Sequence, residues 1–120
     1  MTAKAHTILV LDDEFMVALA LADDLEAQGF AIAGPFCTVE EADAHVRSDR
    51  PDAAFLDINL GDGRNSYEFA ARLKREGVPF CFLSGYSDLQ VDIPELKGAR
   101  LMGKPVRPEE AAETARELIG

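Results

Sequence analysis

Short apolar runs alternate along this chain with longer stretches whose apolar residues recur at helical spacing. Thr7-Ile8-Leu9-Val10-Leu11 is the first such run and reads as a buried strand. From about Phe15 to Gln28 the positions Ala18, Leu21, Ala22 and Leu25 fall on one face of a helix, and Gly29 supplies its stop. Phe30 to Ala33 predicts a second strand, broken by Gly34-Pro35. Thr38 is placed to cap a helix running to about Ser48, with Glu41 completing a capping box. Ala53 to Leu56 predicts the third strand. A polar loop containing Gly61, Gly63 and Asn65 then leads into a helix from Ser66 to Glu76, with Phe69, Ala70 and Leu73 on one side and Gly77 at its end. Pro79 to Leu83 predicts the fourth strand. The apolar pattern thins from Ser87 to Gly98, where Pro94 interrupts a helix interior, so a short or irregular helix is expected there. Arg100 to Met102 is a brief fifth strand, and Pro108 begins a closing helix carrying Ala111, Ala112, Ala115, Leu118 and Ile119.

Five strand-helix units in succession predict an α/β fold, a doubly wound five-stranded parallel sheet with helices on both faces. The common strand order for such a sheet is 2-1-3-4-5, the flavodoxin-like arrangement. At 120 residues the chain is expected to form one domain over 1–120, with no room for a second. A net charge of −10 argues against nucleic acid or an acidic membrane surface as partners and favours cations. No apolar run approaches the length of a membrane span. Cys37 and Cys81 form no disulfide framework, and Cys81, inside an apolar run, reads as a buried free thiol. His6 and His45 have no Cys or His at a metal-ligand spacing.

Ligands of an open parallel sheet sit at the carboxyl ends of its strands, where the strand order reverses. Asp12 and Asp13 follow the first strand, Asp57 the third, Ser84 the fourth and Lys104 the fifth. Singly, each has an ordinary explanation: a cap, a turn or a solvated charge. Together they place three carboxylates in one pocket, because the first and third strands are neighbours in the 2-1-3-4-5 order. Such a cluster calls for a hard divalent cation, and Mg²⁺ suits a partly hydrated site of carboxylates plus phosphate. A carboxylate beside that cation, with a hydroxyl at Ser84 and an ammonium at Lys104 to meet phosphoryl oxygens, is equipped to attack a phosphoryl donor. An aspartyl phosphate is the expected product.

On these residues the chain resembles the receiver domains of response regulators in bacterial two-component systems. The resemblance covers essentially the whole chain and rests on Leu11-Asp12-Asp13-Glu14, Phe55 to Leu60, Phe82-Leu83-Ser84-Gly85-Tyr86 and Lys104-Pro105. It implies that Asp57 is phosphorylated and that Asp13, Asp57 and the Asn59 backbone carbonyl ligate Mg²⁺, with Asp12 acting through metal-bound water. It further implies that Ser84 hydrogen-bonds the phosphoryl group on activation, that Lys104 pairs with it, and that Lys104-Pro105 is a cis peptide. The implied partners are a sensor histidine kinase or a histidine phosphotransfer protein, with room for a downstream protein partner, in a bacterial cytoplasm. The protein would be a signalling phosphoacceptor rather than an enzyme. The runs Asp57 to Gly61, Arg64 to Tyr67 and Pro79 to Tyr86 look like a subgroup of stand-alone alphaproteobacterial receivers, often associated with histidine kinases of the HWE or a related type.

One position departs from the family: receivers usually carry Tyr or Phe three residues before the lysine, and Leu101 stands there. Tyr86, two residues after Ser84, offers an aromatic ring nearby and is the expected switch residue together with Ser84. Three rivals remain. A phosphatase of the haloacid dehalogenase type needs a second Asp where this chain has Asn59. A flavin-binding module needs a loop of free amides where it has Asp12-Asp13-Glu14. A degenerate, partner-binding receiver would lack part of the acidic set, which is intact.

Overall fold

The computed structural model describes residues 5–85 and 96–120. Five strands, β1 (Thr7–Leu11), β2 (Ala31–Phe36), β3 (Ala53–Asp57), β4 (Phe80–Ser84) and β5 (Arg100–Gly103), form one sheet in the order β2-β1-β3-β4-β5. Every neighbouring pair is parallel. Alternate residues of β1 feed separate cores, as the two-residue period of a strand requires. Leu9 and Leu11 pack with Ala42 and Val46 of α2 (Val39–Ser48) and with Phe69, Ala70 and Leu73 of α3 (Tyr67–Arg75). Ile8 and Val10 pack with Ala18, Leu21 and Leu25 of α1 (Phe15–Ala27) and with Ala111 and Ala115 of α4 (Pro108–Ile119). The sheet is therefore buried on both faces, which is why its strands read as continuous apolar runs.

One detail departs from the sequence reading. Gly34-Pro35 does not break the second strand; β2 continues through it to Phe36. The register with β1 moves from Leu9↔Ala33 to Leu11↔Phe36, which places one extra residue in β2 as a bulge. β2 lies at the edge of the sheet, where a proline without an amide proton is tolerated. Gly34 has φ +100°, and a Cβ there would lie 2.7 Å from the Phe36 nitrogen. Four helices occur among the described residues. The segment expected to hold a weak helix, Ser87 to Gly98, lies outside the described residues up to position 95, and its last residues, Leu96 to Gly98, form a turn. Leu96 itself is fully buried against the α2–α3 side of the sheet.

Thr38 caps α2 by accepting a hydrogen bond from Glu41 N at 3.2 Å. The reciprocal half of the box takes a different form: the Thr38 hydroxyl donates to the Glu41 carboxylate at 3.1 Å. Cys81 is fully buried, and burial pushes its thiol up to about 12.

Candidate functional site

The carboxyl ends of the strands deliver the expected side chains to one place. Asp12 follows β1 directly, Asp57 ends β3, Ser84 ends β4, and Lys104 follows β5. Asp12, Asp13 and Asp57 each offer a carboxylate oxygen, and these oxygens all lie within 4.8 Å of one another. Asp12, Asp57 and Ser84 are buried, whereas Asp13 is exposed at the rim. Asp12 is oriented by its own loop, since its Oδ1 accepts from Glu14 N at 2.9 Å. Glu14, not Asp13, is the N-cap of α1, and it makes no side-chain cap bond.

Lys104 reaches across this cluster. Its Nζ lies 2.8 Å from Asp12 Oδ2, 3.3 Å from Asp57 Oδ2 and 3.8 Å from Glu14 Oε1. The lysine is itself held by its amide, which donates to the Ser84 carbonyl at 2.7 Å. The Lys104-Pro105 peptide is cis, as is Gly34-Pro35.

One ammonium does not neutralise three carboxylates. Burial, then the shared proton and negative charge of Asp12, push Asp57 up to about 8, with Lys104 pulling the other way. Burial works against the Lys104 ammonium, but Asp12 and then Asp57 outweigh it, and its pKa lies above the ordinary lysine value. Asp12 Oδ2 is buried and, although in ion-pair contact with Lys104, receives no hydrogen bond of good geometry. A buried carboxylate oxygen left in that condition, beside two further carboxylates, fits a hard divalent cation.

Two residues that the sequence pattern did not single out support the pocket from behind. Ser66 is fully buried, and its Oγ donates to the Asp57 carbonyl at 2.7 Å. Gly61 has φ +80°, and a Cβ on it would lie 3.3 Å from Asp13 Oδ2, so the loop after β3 runs close against that carboxylate. Asn59 opens this loop, its side chain accepting from Gly61 N at 3.0 Å. Leu101 is half-buried and packs with the α2–α3 core. Tyr86, the other proposed switch residue, lies outside the described residues.

The model of the response regulator receiver domain matches residues 8–116 of this chain. The chain belongs to the response regulator receiver family. It is 32% identical over 99 residues to the nitrogen assimilation regulatory protein NtrX of Azorhizobium caulinodans, covering 78% of this chain and 21% of that protein. It is 31% identical over 113 residues to the sensory transduction protein LytT of Bacillus cereus, covering 92% of this chain and 46% of the relative. The receiver thus spans less than half the length of these curated relatives. Among solved structures it resembles a CheY-like response regulator receiver domain protein of Methanospirillum hungatei, with a TM-score of 0.83 and 26% identity over 97% of this chain and 94% of that one. Receivers are signalling domains rather than an enzyme family, and they work with histidine kinases or phosphotransfer proteins. Family membership also removes the phosphatase and flavin-module readings. Among the described residues no helix is long and apolar enough to cross a membrane.

Proposed function

We propose that the chain, as a single receiver domain over 1–120, accepts a phosphoryl group onto Asp57 from a phosphohistidine of a sensor histidine kinase or phosphotransfer protein. The observation that carries this is the placing of Asp57. It is a buried carboxylate at the end of β3, among two other carboxylates and 3.3 Å from an ammonium.

Asp13, Asp57 and the Asn59 carbonyl would hold Mg²⁺, with Asp12 engaging it through bound water. The ion supplies positive charge that offsets the carboxylates and the arriving phosphoryl oxygens. Asp57 is the nucleophile: one carboxylate oxygen forms the bond to phosphorus while the donor's P–N bond breaks and its electron pair leaves with the imidazole nitrogen. Lys104 exchanges its contact with the carboxylate for one with a phosphoryl oxygen. Ser84, at the end of the neighbouring strand, donates its hydroxyl to another. Closing of Ser84 on the phosphate is the movement available to signal the modified state, whether the outcome is binding of a downstream protein or relay of the phosphate. A cytoplasmic location goes with such donors.

The test is intact-mass measurement after incubation with a small phosphodonor. The parent protein should gain one phosphoryl group with Mg²⁺ present and none with chelator, and Asp57→Ala should gain none. Undiminished labelling of Asp57→Ala would falsify the assignment.

A further inference from the structure

Ser66 stands at the N-cap of α3 and is fully buried, yet its side chain makes no cap bond with the helix. A serine in that place ordinarily accepts a hydrogen bond from an amide of the first turn. Here its hydroxyl is turned the other way and donates to the main-chain carbonyl of Asp57, at 2.7 Å. The amide of Ser66 donates to the next carbonyl, that of Ile58, at 3.1 Å, and Ile58 N is held in turn by the Leu83 carbonyl at 3.1 Å. Both polar groups of the peptide unit that follows Asp57 are therefore engaged, one by α3 and one by β4. The carbonyl of Ser66 accepts from Ala70 N at 2.9 Å, so the clamp is continuous with the first turn of the helix.

We propose that Ser66 is a positioning residue for phosphoryl transfer, its hydroxyl fixing the backbone from which the Asp57 carboxylate projects. The inference rests on the reading of Asp57 as phosphoacceptor. Its physical ground is that transfer demands close alignment of the attacking oxygen, and a displacement of about 1 Å can cost about a hundredfold in rate. A neutral hydroxyl suits the task, because it ties the strand end to the helix without adding charge to a pocket already crowded with it. The partner points the same way: the one proton the hydroxyl can donate goes to the carbonyl of the reacting residue.

The experiment measures the initial rate of phosphorylation by a small phosphodonor at saturating Mg²⁺ and donor, together with the Mg²⁺ dissociation constant and the melting temperature. Ser66→Ala should slow labelling about tenfold, within the range that small misplacements produce, while the donor concentration for half-maximal rate stays unchanged. Ser66→Thr, which keeps a hydroxyl, should recover most of the rate. Val46→Ala, in the half of α2 that points away from the pocket, supplies a destabilised control that should label at the parent rate. If Ser66→Ala does not fold, Ser66→Cys takes its place as a weaker donor and should label more slowly than Ser66→Thr. Ser66→Ala or Ser66→Cys labelling as fast as the parent, or Val46→Ala slowing to the same extent, overturns the inference and leaves the function of Asp57 standing. A parent protein that takes no label at all overturns the phosphoacceptor reading instead, and this inference with it.

Discussion

The ionisation of Asp57 decides what the pocket can do at a given pH. Its folded-state pKa lies near 8 against an ordinary value of 3.8, with burial as the leading cause and Asp12 next. A carboxyl raised in this way binds a proton more tightly when folded than when unfolded. Its contribution to stability is therefore fully present below about 4 and is lost as the pH rises through about 8. The melting temperature of the metal-free protein should accordingly fall as the pH rises from about 4 to about 8 and level off above that. In Asp57→Asn, which neither titrates nor adds to the negative cluster, the slope should flatten and the melting temperature at the upper end should rise. A slope preserved in that variant would place the titrating group elsewhere. Cys81 gives a second check on burial, since only its thiolate reacts with thiol reagents and its thiol is raised to about 12. In the native protein Cys81 should resist a disulfide reagent at about pH 8 and react on unfolding.

The elements differ in how plainly they could be read from the chain. Strands β1, β3 and β4 are buried on both faces, so an uninterrupted apolar run was enough to find them. β2 was cut short at Gly34-Pro35 because local signals cannot reveal that a strand lies at a sheet edge and carries a bulge. Gly34→Ala tests that account: with φ at +100° and a Cβ 2.7 Å from Phe36 N, the variant should lose more than about 1 kcal/mol in urea unfolding. An ordinary alanine effect of a few tenths would contradict the strain. Thr38 was legible because capping is a local pattern, and Thr38→Ala should cost about 1 kcal/mol without changing Mg²⁺ affinity. Asp12, Asp13, Asp57, Ser84 and Lys104 were legible because each borders a strand end and parallel topology sends those ends to one rim. Ser66 was hidden: as a helix start it has a familiar local role, and its actual partner is nine residues back. Gly61 was noticed only as a loop residue, since its closeness to Asp13 depends on how the loop folds back on the first strand.

For the molecule as a whole, the pocket couples metal binding to folding. Asp12 and Asp13 are adjacent in sequence, but Asp57 is far from both and joins them only when β1 and β3 lie side by side, so the unfolded chain has no comparable three-carboxylate site. A ligand that binds only the folded state stabilises it by RT ln(1 + [L]/Kd), which is about 2.7 kcal/mol at a hundred times Kd. The melting temperature should therefore rise steadily with the logarithm of Mg²⁺ concentration. General screening offers a competing source of stabilisation, because the chain carries a net charge of −10 and any salt relieves its self-repulsion. The two are separated by sodium chloride at matched ionic strength and by Asp13→Asn. Removing one charge from the cluster should raise the melting temperature of the metal-free protein while reducing the gain from Mg²⁺, and it leaves the rest of the surface charge in place. Sodium chloride should stabilise the variant and the parent alike. A pocket origin thus requires opposite effects from one substitution, more stability without metal and less benefit from it. If Asp13→Asn melts lower without metal yet gains as much from Mg²⁺ as the parent, the stabilisation comes from the surface as a whole and the carboxylate cluster is not its source.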